Sequence, residues 1–150
     1  MTDRANLTSA LVYRDPRAAL GWLEKALGFE LVMLIEDASG AVVHAEMRQG
    51  SGTVMIGSEW SDAHKSPVSI GGKNTQSVHI HVEGDIDAHC AVARAAGAAI
   101  IAPLETQFYG DRTYRCVDLE GHIWTVGQTV KPVSREEAEK VSGLKITGWV

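Results

Sequence analysis

Apolar and polar positions alternate with two different periods along this chain, and the two periods indicate strands and helices. The short apolar run SALVYR is followed by DPRAALGWLEKALG. Four apolar residues of the second segment fall at helical spacing: Ala19, Leu20, Leu23 and Leu27. Asp15 can cap the start of this helix, Pro16 suits its first turn, and Gly28 can end it. The pattern predicts a strand followed by a helix that ends at Gly28.

The second half of the chain repeats this order. SVHIHV, at residues 77–82, leads into GDIDAHCAVARAAG, where Asp85 or Asp87 can cap a helix and Gly97 can end it. The separation between Gly28 and Gly97 equals that between Gly52 and Gly121, as expected for a duplication. Three strand-like runs follow each helix: FELVMLIED, AVVHAEMRQ and TVMIGSE, then AAIIAPLE, RTYRCVDL and HIWTVGQ.

These patterns predict an α+β fold built from two tandem βαβββ modules. Module one covers about residues 5–60 and module two about residues 77–128. Residues 61–76, rich in Ser, Gly and Pro, form a linker, and 129–150 form a C-terminal tail. Neither module can cover both faces of its small sheet alone, so we expect one domain over residues 1–150. In the tail, Ser134 and Glu137 form a capping box for a short helix.

Composition limits the partners. The chain has 150 residues, a net charge of −5, and 14 scattered Lys and Arg residues with no basic run, which argues against nucleic acid. No window approaches the roughly 20 apolar residues of a membrane span, and no signal-peptide pattern is present, so we expect a cytoplasmic protein. Cys90 and Cys116 lack metal-type spacing and are interpreted as reduced packing residues.

Two segments of the duplicated modules are distinctive: DPRAALGWLEKALGFEL in one half and YGDRTYRCVDLEGHIWTVG in the other. Through these segments the chain resembles the vicinal oxygen chelate superfamily, which holds glyoxalase I, extradiol dioxygenases and the fosfomycin- and bleomycin-resistance proteins. The second segment looks closest to the bleomycin-resistance branch. The resemblance implies a cup-shaped curved mixed sheet with helices outside, often completed across a homodimer, with a ligand or metal inside.

The resemblance also implies where a metal would bind. Metal-dependent members take four ligands, mostly His, Glu or Gln, from the first and fourth strands of each module. The matching positions here lie near Thr8, Ile56, Ser77 and Thr125. None of these side chains is a competent ligand for a divalent ion, so we expect no metal or other cofactor at the standard site.

Two histidines lie next to one of these positions. Strand alternation places Ser77, His79 and His81 on one face, and an aliphatic opposite face must pack under the helices. The imidazoles should therefore point into the cup. Three interpretations stay open, in order of preference: lining of a pocket, ordinary sheet surface, and a relocated metal site completed by Glu46.

Other candidate ligand-binding residues are aromatic or basic. Phe108, Tyr109 and Arg112 cluster around a turn that the resemblance places at the rim of the cup, and Trp60 could stack on a ligand. Arg112 could bind an anionic group, although a structural pair with Asp111 or Asp118 is favoured. No nucleophile or phosphate-binding motif is present, and no catalytic residue is assigned.

The sequence thus predicts a metal-independent small-molecule-binding protein, a homodimer that sequesters an aromatic or antibiotic-like compound. The alternative is a lyase, isomerase or dioxygenase of the same superfamily with a relocated divalent metal involving His79 and His81. A third hypothesis is a partner protein whose cup is filled by its own side chains. The tail could cover the cup, cross to a partner subunit, or pack on the outer sheet.

Overall fold

The computed structural model describes residues 4–149, which contain eight strands, three α-helices and a short 3₁₀ helix at Pro67–Ile70. Module one holds β1 (Thr8–Tyr13), α1 (Pro16–Leu27), β2 (Glu30–Glu36), β3 (Val42–Gln49) and β4 (Gly52–Ser58). Module two holds β5 (Val78–His81), α2 (Ile86–Ala95), β6 (Ala99–Thr106), β7 (Asp111–Val117) and β8 (Ile123–Thr129). The tail carries α3 (Arg135–Ser142).

Each module forms its own four-stranded mixed sheet. The strand orders are β1-β4-β3-β2 and β5-β8-β7-β6, so β1 and β5 occupy equivalent edges. β1 and β5 run parallel to their neighbours β4 and β8, and the remaining pairs in both sheets are antiparallel. This arrangement confirms the predicted α+β fold of two βαβββ modules.

Local sequence signals account for the helix boundaries. The Asp15 carboxylate accepts a hydrogen bond from the Ala18 amide at 3.1 Å, and Gly28 adopts a left-handed φ of +73° at the end of α1. Of the two possible caps of α2, Asp85 serves, accepting from the Ala88 amide at 3.1 Å. Positions at helical spacing on α1 are buried, and α1 packs against its sheet and against α2.

One hydrophobic core joins the modules. Its largest fully buried side chains come from both halves: Trp124, Tyr13, Tyr114, Leu23 and Leu27. Phe29 meets Trp124 edge to face, with ring centroids 5.5 Å apart. The two sheets and their helices therefore stabilise one another.

Two buried acidic residues in the β7–β8 loop, Asp118 and Glu120, bind module one to module two. We call them the loop carboxylates. One oxygen of Asp118 accepts from the Tyr13 hydroxyl at 2.6 Å and from the Trp124 indole at 3.0 Å. Its other oxygen accepts backbone amides of its own loop. Burial, followed by the charge of Asp118, raises the pKa of Tyr13 well above its usual value, so the phenol stays a donor.

Glu120 holds the beginning of α1 and the linker. Its carboxylate accepts from the amides of Arg14 and Asp15 at 2.6 and 2.8 Å and from the Ser66 hydroxyl at 2.7 Å. The linker amide of Val68 also donates to the Glu120 carbonyl at 3.0 Å. The linker is thus packed on the same loop that joins the modules.

The C-terminal tail contains the helix α3 and a segment without regular structure after it. Ser134 caps α3 by accepting from the Glu137 amide at 3.1 Å, as the capping box predicts. The segment after α3 forms no strand within the described residues, and the Trp149 indole donates to the Val133 carbonyl at 3.0 Å. No helix among residues 4–149 has the length and hydropathy to cross a bilayer.

The buried hydrogen bonds of Asp118 give a stability prediction. Asp118→Asn places an amide where a carboxylate meets two donors, so the free energy of unfolding should fall by about 2–3 kcal/mol. Denaturant unfolding followed by circular dichroism measures this. Asp62→Asn is the matched control, because the Asp62 side chain is fully exposed. Equal midpoints for both variants would contradict the role of the loop carboxylates.

The two thiols give a second prediction. Both are free and buried, and burial raises the pKa of Cys116 to about 12 and also raises that of Cys90. Because the thiolate is the reactive form, both groups should resist a thiol reagent such as DTNB at pH 8 in the native protein. Two thiols should react once denaturant is added. Rapid titration of either thiol without denaturant would show that the core opens readily.

Candidate functional site

The edge strands β1 and β5 lie on either side of a cleft of about 890 Å³ between the modules. We call it the intermodule cleft. Its walls come from β1, the β3–β4 hairpin at residues 49–54, and the segment 76–81. The Gln76 side chain donates to the Ser9 hydroxyl, which ties the end of the linker to β1 at the cleft.

Three of the predicted ligand-binding residues line this cleft together: Ser77, His79 and His81. Both imidazoles are exposed, whereas Ile80 between them and Val82 after them are buried in the core. Alternation along β5 thus explains why both histidines face away from the helices.

The histidines also border a second depression of about 520 Å³ on the same face of the β5–β8 sheet. Two rows of cross-strand neighbours form it. In the first row His79 lies opposite Thr125, which lies opposite Arg115; in the second His81 lies opposite Gly127, which lies opposite Thr113. We call this surface the inner recess. It shares His79, Ile80 and His81 with the intermodule cleft, so the two spaces adjoin.

Hydrogen bonds orient His81. The Thr129 hydroxyl donates to the Asp111 carboxylate at 2.8 Å, so it can only accept from His81 Nε2, which lies 3.3 Å away. A neutral His81 therefore carries its proton on Nε2. Its Nδ1 is left as an acceptor for a ligand.

Trp60 lies beside the cleft rather than in its wall. Its indole is 70 % exposed and stacks on His64, with ring centroids 4.0 Å apart. His64 does line the cleft, and the Ser61 hydroxyl holds its Nδ1 at 2.7 Å. Sequence reasoning assigned no partner to His64. The signal that could have found this contact is the short sequence separation between His64 and Trp60.

Phe108 and Tyr109 meet edge to face at 5.2 Å and form a different pocket, of about 670 Å³, with the tail. Val133, Ile146 and Trp149 supply its other apolar walls. Of these two aromatic residues, Tyr109 also lines the inner recess and Phe108 does not. Burial, followed by the nearby Asp111, raises the pKa of Tyr109, so its hydroxyl is a donor near neutral pH.

Arg112 is not brought to the cleft. It lies on the helix face of β7, where its guanidinium donates to both carboxylate oxygens of Asp87 on α2 at 3.0 and 2.9 Å. This bond lowers the pKa of Asp87. The structural pair favoured from the sequence therefore exists, but with Asp87 instead of Asp111 or Asp118. The arginine on the inner face is Arg115, which sequence reasoning missed.

The positions equivalent to the superfamily's metal ligands do not fit a divalent ion. Thr8 and Ser77 line the cleft and Thr125 lies on the inner face, offering only hydroxyls. The placement of Ile56 was wrong by one residue: Ile56 is fully buried beneath the helices, and Met55 pairs with Ala10 as Thr125 pairs with His79. One extra residue between Gly121 and β8 causes this shift.

The relocated ligand set is not assembled either. Glu46 lies on the other sheet, where its carboxylate is 3.9 Å from His44. Across residues 4–149, no three His, Cys, Asp or Glu side chains converge on a point that could hold a metal ion.

Comparison with known proteins defines the class. The model of the Glyoxalase/Bleomycin resistance protein/Dioxygenase superfamily matches residues 6–126, and the chain belongs to this superfamily. An uncharacterized protein of Mycobacterium tuberculosis is 31% identical over 137 residues, which cover 89% of this chain and 79% of that protein.

Solved structures agree with this assignment. TioX from Micromonospora sp. ML1 is 32% identical, with a TM-score of 0.66 over 87% of this chain and 100% of its own. TnmS3, an antibiotic binding protein from Streptomyces sp. CB03234, is 15% identical with a TM-score of 0.62, covering 86% of this chain and 98% of its own. The likeness to TnmS3 shows a shared fold.

The donor set gives a prediction about metals. Protein purified without chelator should hold divalent metal well below one ion per chain, because hydroxyls and a thioether bind such ions poorly. Elemental analysis by mass spectrometry measures this. One ion per chain that is lost in His79→Ala and kept in His44→Ala would instead place a metal at β5.

Proposed function

We propose that this protein binds an aromatic, antibiotic-like small molecule in the intermodule cleft and inner recess, without help from a metal ion. The observation that carries the proposal is the adjoining pair of spaces that share His79 and His81. The imidazoles of these residues are exposed, while the aliphatic side chains of Ile80 and Val82 are buried in the core.

The size and chemistry of the site support a drug-sized ligand. A cleft of about 890 Å³ lies within the range typical of small-molecule sites. A few polar groups, including Ser77 and Thr125, are set among small and apolar residues such as Ala10 and Ile80. TnmS3, an antibiotic binding protein with the same fold, adds support.

A homodimer in the cytoplasm is part of this proposal. The edge strand β2 carries exposed apolar side chains at Leu31, Val32 and Ile35. A second copy of the chain could cover this apolar surface. Light scattering should therefore give twice the chain mass of 16.1 kDa.

Catalysis is the second candidate function, and the hydrogen-bond chain from His81 through Thr129 to Asp111 favours it. This chain leaves Nδ1 of a neutral His81 as a proton acceptor on a residue that lines both spaces. Mass spectrometry of the bound compound separates the two functions. Release of unchanged compound supports sequestration, whereas a product that depends on His81 supports an enzyme.

Glycines at equivalent positions of the two sheets allow a sharp binding test. Gly127 lies opposite His81 on the inner face of module two, and Gly57 is its counterpart opposite Val12. A panel of aromatic antibiotics is titrated against the protein by isothermal calorimetry. Gly127→Val should weaken binding at least about tenfold by filling the inner recess, and Gly57→Val should not.

Tryptophan fluorescence gives an independent signal, since Trp60 stacks on a cleft residue. No binding across a chemically diverse panel would contradict the proposal. Equal affinities of both glycine variants and wild type would place the ligand elsewhere.

A further inference from the structure

We infer that the bound compound carries a carboxylate, and that Arg115 in the inner recess binds it. This inference rests on the proposed function and names the chemical class of its ligand. It depends on three features: the free donors of Arg115, the open floor at Gly127, and the position of the acidic residues around the recess.

Arg115 is held in place by one nitrogen only. Its Nε donates to the Thr125 hydroxyl at 3.0 Å, and Thr125 is buried. Among residues 4–149, no carboxylate lies within 4.0 Å of its guanidinium nitrogens, and its two Nη groups donate to no protein atom. Four other arginines are each paired with a carboxylate: Arg17, Arg48, Arg112 and Arg135. Arg115 is therefore an oriented cation with unused donors.

The geometry of this cation selects a carboxylate. Two parallel Nη–H donors in one plane match the two oxygens of a carboxylate, and such bidentate pairs are strong. The Thr125 hydroxyl accepts from Arg115, so its own proton remains available to the same anion. No lysine lines the described recess, which disfavours a more highly charged group such as a phosphate.

Gly127 makes room for the body of the ligand. It lies between Thr113 and His81 in an extended strand, and its φ is not among the positive values that require glycine. A Cβ there would meet Thr113 Cγ2 at 3.4 Å, an ordinary contact. Backbone geometry therefore does not demand a glycine, and the effect of the glycine is an open floor between His81 and Thr113, in the row next to that of Arg115.

The acidic residues around the recess determine where an anion can bind. Glu105 lies opposite Thr113 on the outer strand, and the Asp111 carboxylate accepts from Thr129 beside His81. Glu105 lies in the row of Gly127, and Asp111 lies in the next row, opposite Thr129. Arg115 lies on the other side of Gly127, in the row of Thr125. A carboxylate is repelled from one end of the recess and attracted to the other, so the ligand has one favoured orientation.

Matched compounds and matched arginines test this inference. The probes are 2-naphthoic acid and 2-naphthamide, which share a ring and differ in charge, titrated by isothermal calorimetry at pH 7. The proteins are wild type, Arg115→Gln and Arg112→Gln. Arg112 lies on the same strand but on the helix face, paired with Asp87, so it controls for loss of one positive charge.

The wild type should bind the acid at least about tenfold more tightly than the amide, as expected for a charge-assisted pair. Arg115→Gln should abolish this difference and Arg112→Gln should keep it. Equal binding of acid and amide, or an unchanged preference in Arg115→Gln, would overturn the inference.

Failure of the inference can be distinguished from failure of the proposed function. If members of the antibiotic panel bind and lose affinity in Gly127→Val while neither naphthyl compound binds, the carboxylate assignment is wrong and the binding function stands. If nothing binds, both are overturned. Circular dichroism of each variant verifies that it is folded.

Discussion

The whole arrangement depends on one buried carboxylate, that of Asp118, and on the two donors that meet it. Placing a charge in the core is costly unless every lone pair finds a partner. Tyr13 comes from module one and Trp124 from module two, so satisfying Asp118 requires both modules in a single relative position. Glu120, two residues on, fixes the start of α1 and the linker in the same way. This loop thereby ties the end of β1 to β8, the strand that pairs with β5, and so connects the two sheets that border the cleft.

Duplication gave the protein two similar inner faces, and their chemistry has diverged. Equivalent places hold Ala10 and Met55 in module one, but His79 and Thr125 in module two. One face is mainly apolar at these points, and the other carries hydrogen-bonding groups. The positions equivalent to the superfamily's metal ligands carry hydroxyl and thioether side chains, while the glycines at 57 and 127 keep both floors open. This difference between the two faces is the basis of our proposal that the ligand has one polar end.

The sequence predicted most of the fold because the signals that decide it are local. Capping by Asp15, the left-handed Gly28 and strand alternation act within a few residues, and the observed elements follow them closely. The exact register was less accessible. A single extra residue after Gly121 moved the inner position from Ile56 to Met55, and a constant repeat offset could not reveal it.

Contacts between side chains that are far apart in the sequence were the other feature that the sequence could not predict. Arg112 pairs with Asp87 through the packing of α2, which no local pattern specifies. Alternation did contain the signal for Arg115, because Tyr114 and Cys116 are apolar and must face the helices. Phe108 lines a pocket with the tail and not with the histidines, since the position of Trp149 follows from how α3 packs.

The most direct test of the proposed binding mode is a crystal structure of the protein with 2-naphthoic acid. We predict that the ring lies over Gly127, between His81 and Arg115, with its carboxylate on the guanidinium. Density for the ring in the pocket of Phe108 and Trp149, with the inner recess empty, would contradict it.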